Sequence, residues 1–281
     1  MSVDRLQEKI RKTKNPSVFQ IEALEQWLPP QYEACGFSAY FRALLEGLRD
    51  TVPAVRFGFG SFALRGEEGM ALLSETMACA KELGYYVLMD LPELLTPAAA
   101  ENAVSLVKRF PCDGVIAGSY LGSDVLKPLQ ELGKAGRSVF AVCRTSNKSA
   151  VEIQDLLTGG RLVHTAAADI ISRYAEPLVA KCGYSQLGAL AAASSAQSLS
   201  TLRSKFNKMF LLLDGYDYPN ANAKNCAGAF DRLGHGAAAC ASASIGMAWK
   251  EAETDGSDFV EQALQAALRM KKNLTRYITV L

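Results

Sequence analysis

Short apolar runs recur along the chain, and a segment with helical periodicity separates each run from the next. The starts of these runs lie about thirty residues apart, which is the length of one βα unit. The runs are nearly continuous in apolar residues, as in a parallel sheet that helices cover on both faces. Eight strands are therefore predicted: Ser17–Ile21, Ala54–Phe59, Tyr85–Leu91, Gly114–Ala117, Ser138–Cys143, Leu187–Ala193, Met209–Leu213 and Ala237–Ala243.

Eight such units predict an α/β protein, specifically a closed (β/α)8 TIM barrel that residues 1–281 form as a single domain. The alternative is a doubly wound open sheet, whose nucleotide site would need a glycine-rich turn directly after a strand. The segment 234–239 fits that glycine pattern superficially, but it lies before an apolar run rather than after one. The barrel is therefore the preferred prediction.

Two predicted strands, Leu187–Ala193 and Ala237–Ala243, consist mainly of small residues whose intrinsic propensity favours a helix. Their spacing along the chain, not their propensity, places them as strands. The fifth unit is the longest, because residues 146–160 precede a helical segment near residues 166–179. We therefore expect a long loop after the fifth strand, at the end of the barrel where binding sites lie.

The composition excludes several classes of protein. With 49% hydrophobic residues, the chain is too apolar to be intrinsically disordered. Its 30 Lys and Arg residues balance 29 Asp and Glu residues, so no overall field attracts nucleic acid or an anionic membrane. No window reaches the roughly eighteen apolar residues of a membrane span, and no apolar signal segment opens the chain. We expect a cytoplasmic protein with neither nucleic acid nor a membrane as partner.

The sequence contains none of the common metal or nucleophile motifs. The two histidines, His164 and His235, lie far apart without metal-ligand spacing, and each is interpreted as a surface residue or a satisfied core residue. The seven cysteines form no C-x-x-C pair and are interpreted as reduced packing residues. A P-loop and a nucleophile elbow are also absent. The sequence therefore predicts neither a metal site nor a cofactor.

Five segments carry a resemblance to a known family: residues 4–18, 52–55, 119–124, 145–147 and 152–156. Together they resemble orotidine 5′-phosphate decarboxylase, in particular the longer bacterial form of that family. The match runs in order from residue 4 to about residue 250. The resemblance implies a (β/α)8 barrel that works as a homodimer, with its mouths near the subunit interface and a small, pyrimidine-like molecule as its ligand.

The residues at the family's catalytic positions differ from the family pattern. That chemistry rests on an Asp-x-Lys-x-x-Asp motif after the third strand, whose Lys protonates the carbon that loses carbon dioxide. Here Asp90 keeps the first position, while Pro92 stands at the Lys and Leu95 at the second Asp. Neither replacement can donate a proton or carry charge. Arg56 stands at the family's Lys after the second strand, and Glu22 at its Asp after the first. Through this resemblance, Asp90, Arg56 and Glu22 are the remnant catalytic positions.

The positions that bind phosphate in the family differ as well. The loop after the seventh strand reads Asp214-Gly215-Tyr216-Asp217, with Pro219 where a Gln would reach the phosphate. After the eighth strand Ser242 remains, but Ala243 replaces the phosphate-binding Arg. The two added carboxylates would repel a dianion. The sequence therefore predicts weak binding of orotidylate.

Thr145, Ser146 and Asn147, which lie near the pyrimidine in the family, are kept in this chain. Together with Gly215 and Ser242 they form the predicted ligand-binding set. The alternative is that the three polar side chains only cap the loop after the fifth strand.

Three functions remain open from the sequence. The first is a pseudoenzyme, impaired in orotidylate decarboxylation, that acts as a ligand-binding or partner subunit. The second is an active carboxy-lyase of pyrimidine nucleotide biosynthesis, whose remodelled site consists of Arg56, Asp90 and Glu93. The third is a purely structural role in which the chain pairs with an active decarboxylase through the family's dimer face.

Overall fold

The computed structural model describes residues 1–33, 35–92 and 96–281. Eight parallel strands follow one another around a closed barrel, and the last strand pairs with the first. The ring is closed at the first strand, since Val18 lies opposite Ala54 on one side and Cys240 on the other. The barrel strands are β1 (Ser17–Ile21), β2 (Ala54–Phe57), β3 (Tyr86–Asp90), β4 (Gly114–Ala117), β5 (Ser138–Val142), β6 (Leu187–Ala192), β7 (Leu211–Asp214) and β8 (Ala237–Ala241).

The closure confirms the predicted (β/α)8 fold and excludes the open sheet. All eight predicted strands are present, and β1 and β4 have the predicted bounds. The other six differ from prediction by at most two residues at either end. The apolar runs extend past the ends of β2 and β8 because short helices begin there, at Phe59 and Ala243. The small-residue strands β6 and β8 are completely buried, so spacing was a better guide than propensity.

Helices surround the barrel and follow its strands in sequence. The helix Gly36–Leu48 turns Phe37, Phe41, Leu44 and Leu48 inward, as their spacing of four, three and four predicts. Among the described residues, no helix has the length and apolar content that a membrane crossing requires. The remaining α-helices are Ser2–Thr13, Phe59–Ala63, Gly66–Glu82, Pro97–Val107, Ser123–Lys134, Ala150–Ile153, Val163–Ala175, Ala196–Lys205, Ala223–Ala227, Ala243–Gly246, Ala248–Glu251 and Phe259–Thr275, with 3-10 turns at Glu25–Trp27, Pro30–Tyr32 and Glu176–Leu178.

The N-terminal helix Ser2–Thr13 covers the end of the barrel at which the strands begin. Gln186, directly before β6, accepts a hydrogen bond from the Val3 amide at 2.7 Å. The Gln7 side chain accepts one from the Gly236 amide, directly before β8, at 3.0 Å. The Ser2 hydroxyl donates to the Asp113 carbonyl, directly before β4, at 2.7 Å. These bonds close the end of the barrel where the strands begin. The main cleft lies at the opposite end, where the strands end.

The long loop predicted after β5 contains local structure of its own. The helix Ala150–Ile153 is followed by a two-stranded hairpin, Leu157–Thr158 with Arg161–Leu162. The helix predicted near residues 166–179 begins earlier, at Val163, and ends at Ala175. The 3-10 turn that follows contains Pro177, which cannot donate the backbone hydrogen bond that a continued helix needs.

The burial of Leu44 gives a test of the packing between helix and barrel. Leu44 is completely buried, whereas Leu64 is 83% exposed. We expect Leu44→Ala to lower the free energy of unfolding by about 2–5 kcal/mol, because it removes buried methyl groups and leaves a cavity. The matched change Leu64→Ala should stay within about 0.5 kcal/mol of wild type. Urea unfolding followed by circular dichroism measures both, and equal losses would contradict the packing described here.

Candidate functional site

A buried ion cluster crosses the barrel where its strands end. Arg56 on β2 donates from Nε and Nη2 to the two carboxylate oxygens of Asp90 on β3, at 2.7 and 2.9 Å. Its Nη1 donates to Oδ1 of Asp214 at the end of β7, at 2.6 Å. Because β1 and β8 lie between β2 and β7, the Arg56 side chain must extend through the barrel interior to reach Asp214.

The charges of this cluster depend on one another. Burial alone would lower the pKa of the Arg56 guanidinium, but Asp90 and Asp214 outweigh it and raise that pKa well above its ordinary value. Burial also raises the pKa of the nearby Cys240 thiol to about 12, although Arg56 opposes the shift. Arg56 is therefore a permanent cation. Its N–H groups donate hydrogen bonds, but the guanidinium does not release a proton at neutral pH.

A cleft of about 510 Å³ opens above this cluster. Such a volume suits a small molecule, since ligand sites commonly measure about 300–1,000 Å³. Tyr120 at the rim is fixed by its hydroxyl, which donates to the Cys143 carbonyl at 2.5 Å. The lining residues are Arg56, Asp90, Leu91, Pro92, Ile116, Ala117, Gly118, Ser119, Tyr120, Leu121, Val125, Val142, Thr145, Leu190 and Asp214.

The remnant catalytic positions do not all meet. Arg56 and Asp90 are in direct contact, and Pro92 lines the cleft beside them. Glu22 instead accepts a hydrogen bond from Gln20 at 2.5 Å and lies over Gly58. A Cβ at position 58 would come within 2.2 Å of the Glu22 carboxylate, so a larger residue there would displace the end of that side chain. Both Glu93 and Leu95 lie outside the described residues.

The predicted ligand-binding residues after β5 divide between two clefts. Thr145 lines the main cleft, and its hydroxyl donates to Asn147 at 2.6 Å. Asn147 lines a neighbouring cleft of about 430 Å³ together with Ser146. The Ser146 hydroxyl donates to the Asp214 carbonyl at 2.7 Å and lies 3.2 Å from its carboxylate. These bonds cap the loop, as the alternative interpretation predicted, and they also leave Thr145 facing a cleft.

Gly215 joins the loop after β7 to the loop after β5. Its φ of +73° is a left-handed conformation that favours glycine. A Cβ there would lie 2.5 Å from the Ser146 hydroxyl and 2.6 Å from the Tyr218 ring. We therefore interpret Gly215 as a packing requirement between the two loops, in addition to its predicted place near a ligand.

Ser242 binds a carboxylate of the chain itself. Its backbone amide donates to Asp217 Oδ2 at 2.6 Å, and the Ser244 amide approaches the same oxygen at 3.4 Å. The Ser244 hydroxyl donates to the other oxygen, Oδ1. The donors at the end of β8, where the resemblance expects a phosphate, thus bind Asp217.

A second group of polar side chains, separate from the ion cluster, fixes the loop after β5. Arg144 donates to both carboxylate oxygens of Asp155, at 3.0 and 2.8 Å, and these bonds lower the pKa of Asp155. His164 Nδ1 lies 3.1 Å from Asp155 and 3.0 Å from the Gln154 carbonyl, so it carries the proton. The Ser198 hydroxyl lies within hydrogen-bond distance of Nε2, at 3.0 Å. Because His164 and Ser198 are buried, we interpret this series of polar contacts as a structural link that holds the loop.

Several of these residues were missing from the predicted site. Asp214 was noted only as a charge near the phosphate position, whereas it is a direct partner of Arg56. The buried charge of Arg56 was a signal for it, because a guanidinium inside a barrel needs carboxylate partners. Asp155 carried no comparable signal, since its contact with Arg144 depends on the fold of the loop. Within the described residues, no group of His, Cys, Asp and Glu side chains is arranged to hold a metal ion.

Comparison with known proteins agrees with the resemblance. The chain is 24% identical over 283 residues to the orotidine 5′-phosphate decarboxylase of Clostridium novyi (strain NT), which covers 98% of each chain. The solved orotidine 5′-monophosphate decarboxylase of Plasmodium berghei superposes with a TM-score of 0.79 at 9% identity, over 98% of both chains. That of Leishmania donovani gives 0.73 at 21% identity, over 96% of this chain and 98% of the other. No protein-family model matches the chain.

These similarities support the resemblance to the orotidine 5′-phosphate decarboxylase family. The solved structures establish the shared barrel fold. The sequence similarity covers nearly the whole length of this chain and of the decarboxylase with which it was compared.

The ion cluster gives a second test. The side chain of Arg56 is 8% exposed, and those of Asp90 and Asp214 are 24% and 23% exposed. We expect Arg56→Met to lower the free energy of unfolding by about 3–5 kcal/mol, because it leaves two carboxylates without their counter-charge. Adding Asp90→Asn to that variant should recover part of the loss. Arg49→Met, at an exposed arginine, should change it by no more than about 0.5 kcal/mol in the same denaturant experiment.

The Arg144–Asp155 pair gives a pH-dependent test. The pKa of Asp155 is lowered in the folded chain, so its contribution is complete above the unfolded value of about 4 and disappears as the pH falls through the folded value. At neutral pH, Asp155→Asn should cost about 1.5–3 kcal/mol through the lost charged hydrogen bonds. The difference from wild type should shrink as the pH falls below about 4. Unfolding at several pH values measures this, with the exposed Asp50→Asn as control; a difference that grows in acid would contradict it.

Proposed function

We propose that this chain is a member of the orotidine 5′-phosphate decarboxylase family that does not decarboxylate orotidylate and acts instead as a ligand-binding pseudoenzyme. The observation that carries the proposal is the state of Arg56, which two carboxylates hold as a buried cation. The reaction needs a proton for the carbon that loses carbon dioxide. A guanidinium with a raised pKa does not supply it, and the side chain of Pro92 has no proton to donate.

The donors at the end of β8 support the same proposal. The Ser242 amide and the Ser244 hydroxyl bind the carboxylate of Asp217. A phosphate arriving there would have to displace that carboxylate, which it also repels. The side chain of Ala243 offers no cation in exchange. We infer that an orotidylate dianion binds poorly at this mouth.

Large exposed apolar side chains near the mouth support pairing with another chain. Tyr120 and Leu121 after β4 are 44% and 45% exposed, and Leu156 and Leu157 after β5 are 54% and 77% exposed. Exposed apolar surface of this kind favours a protein partner. The homodimer that the resemblance implies therefore stays our prediction. A location in the cytoplasm is a separate prediction from the sequence, and it also stays a prediction.

An assay with orotidine 5′-phosphate tests the proposed function. The purified chain is incubated with orotidylate, and uridylate is measured by absorbance and chromatography, with the Clostridium novyi relative in the same buffer as positive control. We expect no uridylate above the rate without protein, because neither Arg56 nor Pro92, at the positions where the resemblance expects lysines, supplies an acidic proton.

Sustained production of uridylate would overturn the proposal and favour the active lyase with a remodelled site. In that case Asp90→Ala should abolish the activity, because Asp90 is the partner of Arg56 in the cleft. Activity that survives Asp90→Ala would point to a contaminating enzyme.

A further inference from the structure

The main cleft presents carboxylates, not the guanidinium, to an entering molecule. Arg56 is 8% exposed beneath its partners, whereas Asp90 and Asp214 are 24% and 23% exposed. With both carboxylates ionised, the one buried positive charge leaves a formal charge of −1 at the floor; burial raises the pKa of Asp90, and its two bonds from Arg56 oppose that shift. Among the lining residues that the structure describes, no other side chain is charged.

The carboxylate of Asp214 keeps capacity for a further donor. Its Oδ1 accepts from Arg56, while the hydrogen bond to Oδ2 among the described residues comes from the Ser146 hydroxyl, at 3.2 Å. A carboxylate oxygen can accept two hydrogen bonds. A charged donor group on a ligand would therefore find a fixed acceptor at the floor, and a charged pair in a partly buried cleft is among the stronger hydrogen bonds.

The walls of the cleft suit an apolar or aromatic body. Leu91, Ile116, Val142 and Leu190 line them, and Tyr120 is held at the rim by its hydrogen bond to the Cys143 carbonyl. A fixed tyrosine ring can pack against an apolar group and attract a cation to its face. Apolar walls and an acidic floor together select a molecule with one cationic end.

We propose that the main cleft binds a small organic cation, with an ammonium, amidinium or guanidinium head on Asp214 and Asp90 and an apolar body against Leu190 and Tyr120. This rests on the proposed function, because it assigns a different ligand class to a mouth that no longer suits an orotidylate dianion. It excludes carboxylates and phosphates as the preferred ligands, since the exposed floor would repel them.

Three ring compounds of similar shape test the charge preference: benzamidinium, benzamide and benzoate. Isothermal titration calorimetry of the full chain should give saturable binding of benzamidinium, about tenfold or more tighter than benzamide, because only the cation pairs with the floor. Benzoate should give no saturable heat. Raising the salt concentration from about 20 to about 300 mM should weaken the binding of benzamidinium and leave benzamide unaffected.

Two variants locate the site. Asp214→Asn should weaken benzamidinium about fivefold or more, because it removes one of the two exposed negative charges. Asp124→Asn makes the same chemical change in the helix after β4, at an exposed residue outside the cleft lining, and should stay within about twofold of wild type. Circular dichroism checks that Asp214→Asn is folded; should it unfold, the methyl NMR signals of Leu190 and Ile116 in the wild type must shift with benzamidinium.

Equal binding of the three compounds, preference for benzoate, or no saturable binding of benzamidinium would each overturn the inference. The orotidylate assay on the same preparation keeps the two proposals separate. Turnover of orotidylate would overturn the proposed function whatever benzamidinium does. Absence of turnover with no charge preference would overturn the cation site alone.

Discussion

Closing eight parallel strands into a barrel turns alternate residues of each strand into one shared interior, where polar groups must satisfy one another. Arg56 is such a residue. It lies opposite Gln20 on β1 and Leu88 on β3, and its charge is satisfied by Asp90 at the next inward position of β3 and by Asp214 across the barrel. One interior cation thereby determines the position of two carboxylates and the charge at the mouth.

The loops at the mouth depend on the same few groups. Asp214 binds Arg56 through its carboxylate and Ser146 through its carbonyl, so the ion cluster also anchors the loop after β5. Asp217, three residues further on, binds the backbone that follows β8. The loop after β7 therefore uses two carboxylates for two different purposes, one within the cleft and one at its edge. A ligand that displaced either carboxylate would also break a structural contact.

The strands were predictable because two patterns of the sequence, apolar runs and their spacing, agree on where each one lies. A buried strand is a short apolar run, and recurrence at the length of a βα unit distinguishes it from a buried helix segment even where alanine dominates, as in Ala237–Ala241. Residues that directly follow the strands lie at one mouth, since all parallel strands of a barrel end there.

Their partners were harder to predict. The pairing of Arg56 with Asp214 depends on how far a side chain reaches across the interior, and that of Asp155 with Arg144 on how a loop folds back. Glu22 shows the opposite case: the resemblance placed it with Arg56 and Asp90, but it lies over Gly58 and accepts a hydrogen bond from Gln20. Side-chain reach and loop geometry, rather than residue type, decided which polar groups met.

Arginine at position 56, where the resemblance expects a lysine, illustrates why a shared barrel does not fix the chemistry. A lysine ammonium is a compact charge that can lose its proton and that does not impose a plane on its partners. The guanidinium of Arg56 is planar, binds both oxygens of Asp90 at once and extends to Asp214 with its remaining nitrogen. The same positive charge therefore becomes a rigid clamp. This arginine stabilises the carboxylates, but it lacks the mobility and the acidity that proton transfer requires. The strands around it need only remain apolar, so the same fold can hold either residue.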